Sequence, residues 1–486
     1  MLYHSTRNDS LKIDSAQAVL QGLAPDGGLY MPGTLPAFDW QACLKGNPYE
    51  MASMILGAML PDIPDMEDLV KKAYDRKFTA PDLTPTASVG EMTVLELFHG
   101  PTSAFKDVAL CMLPQLLTRA KAAKGMAEEI RILTATSGDT GKAALAGFQD
   151  VEGVSICVFY PDGGVSKVQR AQMVTQEGKN VKVCAVRGNF DDAQTGVKKI
   201  FNACADGKLL EGKPFRLSSA NSINIGRLAP QITYYFKAYR DLLSSGKIRL
   251  GDKVNFSVPT GNFGDILAGY LAKLLGLPVG MLICASNANN VLTDFIRTGC
   301  YNRLRPLHKT ISPSMDILVS SNLERLLYLM SGCDTAFVAA LMGDLDKKGS
   351  YEIPGNMLVR LQKEFWADFC DDAKARAVIA TLWQEQGYLC DPHTAAGFAA
   401  AASYQAQTGD TAPMVVLSTA SPYKFPAAVL EALGEELVGD EFDQMEALAA
   451  KTGVPIPKNL ALLRGKPELH TGVISKDEML AFALAE

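Results

Sequence analysis

His99-Gly100-Pro101-Thr102-Ser103-Ala104-Phe105-Lys106-Asp107 joins a short apolar run at 93–98, which reads as a strand, to residues 108–117, which read as a helix. The stretch puts a lysine at a strand-to-helix junction, and in an open α/β sheet the ligand crevice lies at that carboxyl edge of the strands. An amine held there beside Phe105 loses hydration and part of its proton affinity, as it must before attacking a carbonyl. An inert lysine that merely opens a helix fits the same local pattern, so Lys106 has to be weighed against the rest of the chain.

Working outward toward the C-terminus, β-rich runs at 130–134, 154–160 and 181–186 alternate with helical patterns at 142–148, 167–175 and 192–203. The spacing is about 25 to 30 residues, the length of a βα unit. A second series starts at Phe215 and runs through a helix at 228–243, a strand at 253–258, a helix at 265–275 and a strand at 279–285. Such alternation specifies an α/β fold with mostly parallel sheet covered on its faces. Between 291 and 380 longer helical patterns, such as 322–330 and 334–347, read as a helical insertion. An apolar strand returns at 414–417, and the tail from about residue 425 is helical. Toward the N-terminus, residues 1–90 combine a Pro25-Asp26-Gly27 turn with helical spacing at 49–60 and 66–78, and read as a small, largely helical domain.

The bulk composition excludes several classes. A chain of 486 residues exceeds one ordinary core. Hydrophobic content of 48% beside 21% charged residues is that of a folded soluble protein. The net charge of −6 and the lack of a basic run argue against a nucleic-acid partner. No apolar run approaches the roughly eighteen residues of a membrane span, and Met1-Leu2-Tyr3-His4-Ser5-Thr6-Arg7-Asn8 has no signal-peptide core, so a cytoplasmic location is expected. The 10 cysteines form no C-x-x-C pair and the 5 histidines no ligand cluster, so neither a disulfide framework nor a metal is expected.

Two further junctions repeat the strand-turn-helix pattern: Thr134-Ala135-Thr136-Ser137-Gly138-Asp139-Thr140-Gly141 and Val258-Pro259-Thr260-Gly261-Asn262-Phe263-Gly264-Asp265. Each exposes backbone N–H groups at a helix mouth and suits an anion, although Gly-rich turns also occur in sheets that bind nothing. Neither has dinucleotide or nucleoside-triphosphate spacing, which leaves a single small phosphate as the natural guest. A third junction, Leu417-Ser418-Thr419-Ala420, ends a buried strand in two hydroxyls. These either satisfy the strand end or face the nitrogen of a pyridine ring. Ser218-Ser219-Ala220-Asn221-Ser222-Ile223-Asn224-Ile225-Gly226-Arg227 gathers amides and hydroxyls ahead of an arginine, the equipment for a fixed oxyanion. Ser166-Lys167-Val168-Gln169-Arg170 opens a helix with two cations and reads equally well as a surface helix.

Together these residues resemble the threonine synthases, pyridoxal-phosphate (PLP) enzymes of the tryptophan-synthase-β-like fold. The resemblance rests on Tyr3-x-Ser5-Thr6-Arg7, the 22–29 turn, the 99–107 stretch, the 135–141 turn and Gln169-Arg170-x-Gln172-Met173. It continues through Asn221-Ser222-Ile223-Asn224, the 259–265 turn, Asp391-Pro392-His393-Thr394-Ala395 and Leu417-Ser418-Thr419-Ala420, in the family's order from residue 3 to residue 426. It implies two doubly wound, mostly parallel α/β domains of the fold type II PLP class plus the small N-terminal domain. The boundaries expected are 1–90 for the N-terminal domain, 91–105 with 216–486 for the large PLP-binding domain, and 106–215 for the small α/β domain.

The resemblance implies that Lys106 forms the internal aldimine with PLP, that Gly261, Asn262, Phe263, Gly264 and Asp265 bind the cofactor, the first four cradling its phosphate, and that Thr419 faces the pyridine nitrogen. Ser137, Gly138, Asp139 and Thr140 correspond to the family's substrate-carboxylate loop. Asn221, Ser222, Asn224 and Arg227 are expected to hold the substrate phosphate, and Thr102, with Ser103, to touch substrate. Asp107 reads as a favourable charge in the first turn of its helix. The chain departs from the pattern at Asp139, where broader relatives carry Asn, and at Ser421, where His is expected. The implied reaction converts O-phospho-L-homoserine and water to L-threonine and phosphate by γ-elimination and β-addition of water, the last step of threonine biosynthesis. The expected partner is that small molecule, and the expected state a monomer or homodimer. A PLP-dependent phospholyase that releases 2-oxobutanoate, ammonia and phosphate is the alternative within this chemistry, and a non-catalytic small-anion-binding protein the alternative outside it.

Overall fold

The structure, a computed structural model, describes residues 1–136, 138–204 and 207–485. Six strands form the larger sheet, in the order Phe365–Phe369, Val279–Ser286, Val254–Pro259, Met414–Ser418, Met92–Glu96 and Thr86–Val89. Every pairing is parallel except the last, where Thr86–Val89 folds back antiparallel on Met92–Glu96. Val254–Pro259 and Met414–Ser418 are buried at every position. A parallel sheet covered on both faces requires strands buried along their whole length, and Asn255 and Ser257 sit among apolar neighbours there. The covering helix Pro392–Thr408 is rich in Ala and carries Gly397 where it lies closest. A Cβ at Gly397 would stand 3.0 Å from Val416, and the Ser257 hydroxyl donates to the Gly397 carbonyl at 2.7 Å.

The second sheet has five parallel strands in the order Val473–Ile474, Val181–Val186, Val154–Pro161, Glu129–Ala135 and Phe215–Ser218. The long helix Lys106–Ala123 packs on the helices Ser15–Gln21, Met66–Tyr74 and Asp139–Phe148, and burial of most of its residues explains its apolar composition. The turns carrying Lys106, Gly261, Thr419 and Gly138 each leave the carboxyl end of a parallel strand. Lys106 follows Met92–Glu96, Gly261 follows Val254–Pro259, Thr419 follows Met414–Ser418, and Gly138 follows Glu129–Ala135.

The structure departs from the expected division in three places. The first 90 residues are not simply helical, because Leu2–Ser5 pairs antiparallel with both Asn8–Asp14 and Tyr30–Pro32. Asn8–Asp14 is fully buried nowhere and holds only two apolar residues, Leu11 and Ile13, too few to mark a strand on their own. Phe365–Phe369, inside the stretch read as a helical insertion, is the outer strand of the larger sheet and follows helix Gly355–Glu364 with no turn residue between them. The tail read as part of the large domain returns to the other sheet. Val473–Ile474 pairs with Val181–Val186, and Arg131 donates to the carbonyls of Ala483 and Ala485 at 3.1 and 2.6 Å. Among the described residues no helix is long and apolar enough to cross a membrane.

Candidate active site

Lys106 is the first residue of its helix, and the chain before it is stitched to the end of Met414–Ser418. The Phe105 N–H donates to the Thr419 carbonyl at 2.8 Å, Ala104 bridges Ala420, and the Ser421 N–H donates to the Ser103 carbonyl at 3.0 Å. Nζ of Lys106 therefore projects from a fixed backbone, donating to the Ser314 hydroxyl at 3.2 Å with the Phe105 ring centroid 5.6 Å away. Burial pushes this amine down to about 8, with Asp139 pulling it up and Lys424 and Arg227 pushing it further down. An amine so placed exchanges protons near neutral pH.

The 261–264 turn is a cradle. A Cβ at Gly261 would stand 2.6 Å from the Ser314 carbonyl, so only glycine fits there. Phe263 takes the left-handed conformation at φ 61°, and helix Gly264–Leu274 starts immediately after it. The first-turn N–H groups of that helix have no acceptor within it. Asp265 differs from expectation: its carboxylate turns away into the helix Ile232–Ser244, where it accepts from the hydroxyls of Tyr234 and Tyr235. Burial pushes that carboxyl up to about 7. What Asp265 offers to the cradle is its backbone N–H.

At the second turn, Gly138 has φ 147° and a Cβ there would meet the Gln169 amide at 2.4 Å. The Thr136 hydroxyl takes the N–H groups of Gly138 and Gly141 at 3.0 and 2.9 Å, while those of Asp139 and Thr140 open the helix and find no acceptor within it. Ser137, expected in the same loop, lies outside the described residues. The Asp139 side chain is engaged, accepting from Lys424 Nζ at 2.7 Å and from the Gln169 amide at 3.3 Å. Burial alone would raise its carboxyl, but Lys424 and Lys106 hold it well below the usual carboxylate range.

The 221–227 stretch divides. Asn224 is wholly buried and structural: its amide donates to the Val19 carbonyl at 2.9 Å, and its Oδ1 accepts the Gly226 N–H at 2.8 Å. Asn221 is exposed and Ser222 half-buried. Arg227 is only 4% exposed, donates to the Ala220 carbonyl at 2.9 Å, and leaves Nε buried without a partner. Burial pushes its guanidinium down to about 10. Such an orphaned buried donor calls for an acceptor. Thr102 and Ser103 also differ from expectation. The Thr102 hydroxyl donates to Asp107 at 2.5 Å, and Ser103 is held by Asn459 at 2.9 Å. Asp107 is a buried clamp on this turn rather than a solvated first-turn charge, and burial raises its carboxyl. Arg170 pairs with Glu468, which favours the surface reading of its helix.

Three residues were missed in the sequence. Ser314 receives Lys106, and its own N–H donates to His393 Nε2 at 3.1 Å while His393 Nδ1 faces Asp391 at 2.5 Å. Asn322 ties both polar loops together, its amide donating to the carbonyls of Asn262 and Ser222, each at 3.1 Å. Lys424 is the ammonium beside Asp139. Of the three, only Lys424 had a local signal, a cation close behind the 418–420 strand end.

Comparison with known proteins agrees with this geometry. Family models match for the threonine synthase N terminus over residues 2–74, pyridoxal-phosphate dependent enzyme over 79–340, and threonine synthase, C-terminal, over 394–476. Threonine synthase of Pseudomonas aeruginosa is 41% identical over 441 residues, 89% of this chain and 90% of that protein. Human threonine synthase-like 1 is 38% identical over 92% of this chain. The chain spans 62% of the length of such mammalian relatives. The crystal structure of PLP-bound threonine synthase from Brucella melitensis superimposes with a TM-score of 0.88 at 38% identity, covering 100% of this chain and 99% of that one. The yeast threonine synthase structure gives 0.88 at 33% identity, covering 99% and 98%. The fold is therefore the mixed α/β arrangement of the fold type II PLP enzymes, as the resemblance implied. The chain belongs to the threonine synthase family of pyridoxal-phosphate-dependent enzymes.

Proposed function

We propose that the protein converts O-phospho-L-homoserine and water to L-threonine and phosphate, using PLP carried by Lys106. The observation that carries the reading is the convergence of the Lys106 amine, two helix mouths whose first N–H groups have no acceptor in their helices, and the orphaned Nε of Arg227. These residues fit PLP. The first-turn N–H groups of Gly264–Leu274, which have no acceptor within the helix, suit a phosphate, and the buried Thr419 hydroxyl suits a pyridine nitrogen.

When bound, PLP supplies the electron sink for the charge left as protons leave Cα and then Cβ of the substrate. The protein's own residues do the rest. Lys106 moves protons at Nζ, which the Ser314 hydroxyl orients. The N–H groups of Asp139 and Thr140 hold the substrate carboxylate, and Arg227 with Ser222 and Asn221 receives the phosphate that departs from Cγ. The neutral Thr419 hydroxyl would face the pyridine nitrogen without a carboxylate to protonate it, so PLP held there would act as a moderate electron sink.

We further read the six-stranded half as the large, cofactor-bearing domain and the five-stranded half as the small one, and the protein as a cytoplasmic monomer or homodimer. Among the described residues no disulfide joins the cysteines, which fits a reducing compartment. The deciding experiment is product analysis with O-phosphohomoserine. Threonine and phosphate in equal amounts are expected; 2-oxobutanoate and ammonia in their place would overturn the proposal in favour of a phospholyase. Protein that takes up no PLP, with Lys106→Ala indistinguishable from the parent, would point to a non-catalytic anion binder.

A further inference from the structure

The Lys424–Asp139 pair has no part in the chemistry above, yet it occupies the centre of the site. Asp139 opens a helix attached to the five-stranded sheet, and Lys424 follows a strand of the six-stranded sheet, so the pair spans the two halves. The two side chains lie 2.7 Å apart with 0% and 6% exposure. Lys424 is committed on its other side as well, donating to the Thr102 carbonyl at 3.0 Å, so it is not a free ligand for substrate. Asp139 in turn holds the Gln169 amide, which covers Gly138.

An uncompensated carboxylate at this helix mouth would repel the anion that the neighbouring N–H groups are placed to receive. The titratable and charged groups facing Lys106 are Asp139, Lys424, Arg227 and Asp107, and those facing Asp139 are Lys424, Lys106 and the imidazole of His393. Asp107 is spent on the N–H groups of Thr102 and Ala104. Asp139 and Lys424 act on Lys106 with opposite sign, so each offsets the other there.

We propose that Lys424 is a positioning residue whose charge cancels that of Asp139, so that Asp139 can fix the glycine turn without repelling an anionic substrate or holding a proton on Lys106. The inference rests on the reading of Lys106 as the PLP attachment site. It is tested by following the visible absorbance of the PLP-loaded protein against pH, together with KM for O-phosphohomoserine. In Lys424→Met the titration midpoint rises by about one unit, because Asp139 alone favours positive charge at Nζ; in Asp139→Asn it falls by about as much, because Lys424 alone opposes it. The double variant returns to the parent midpoint and regains the KM lost in Lys424→Met. Lys424→Arg keeps the midpoint. Shifts of the same sign in the two single variants, or losses that add in the double, overturn the inference. If Lys424→Met does not fold, Asp139→Asn decides alone, and a midpoint that stays or rises refutes the idea. A parent protein without any visible PLP band would overturn the attachment reading and the inference with it.

Discussion

The imidazole of His393 accepts the backbone N–H of Ser314 at 3.1 Å, and Ser314 in turn accepts Nζ of Lys106 at 3.2 Å. Asp391, facing Nδ1 at 2.5 Å, keeps Nε2 free to accept. A residue 208 positions from Lys106 thus sets where its amine points. Ser314→Ala is expected to keep PLP absorbance and KM but to lower kcat roughly tenfold, the equivalent of ~1.5 kcal/mol for one hydrogen bond to a charged group. Steady-state kinetics check this, and a raised KM with unchanged kcat would count against an orienting role.

Arg227 is costly to bury and waits for an anion. Arg227→Met should raise KM for O-phosphohomoserine by roughly 100-fold, since a desolvated charge pair is worth about 2–5 kcal/mol in binding. The same change should leave the melting temperature of the PLP-free protein equal or higher, because it removes an incompletely paired buried cation. A lower melting temperature at unchanged KM would make Arg227 structural.

The depressed Lys106 amine sets a pH dependence. Its folded value, about 8, lies below the ordinary 10.5, so the folded state gives up this proton first. The charged form is therefore penalised below about pH 8, and this contribution to stability rises as pH climbs from 8 toward 10.5. Uptake of PLP by the cofactor-free protein needs the neutral amine. Its rate should increase with pH up to about 8 and then level off, as stopped-flow absorbance would show; a continued rise to pH 10 would mean an ordinary lysine.

Gly261→Ala should be severe for a change of one methyl group, since the added carbon meets a backbone carbonyl at 2.6 Å rather than a movable side chain. Overpacking of this kind costs ~1–3 kcal/mol. Weakened PLP affinity in equilibrium dialysis is the expected readout, with the fold retained by circular dichroism.

The alternation of strands and helices and the place of Lys106 at a strand end were legible because both depend on local signals: apolar strands, and glycine and hydroxyl turns at their carboxyl ends. The direction of a side chain was not. Asn224 and Arg227 belong to one polar stretch, yet one caps a short helix and grips the Val19 carbonyl while the other keeps a donor free. Asp265 beside Gly264 looked like part of the cradle, but two tyrosines 30 and 31 residues upstream claim its carboxylate. Ser314 and Asn322 come from loops without periodicity, and only the folded chain brings them to Lys106 and Asn262.

The late return of Val473–Ile474 to the five-stranded sheet has a consequence in time. Cys184 and Gly472, which meet along that edge, are 288 residues apart. At typical rates of synthesis the edge of Val181–Val186 stays uncovered for roughly 15 to 60 s after it leaves the ribosome. Throughout that interval the nascent chain presents an unpaired strand edge, so the wait for its last strand is when it most needs a chaperone's protection from its neighbours.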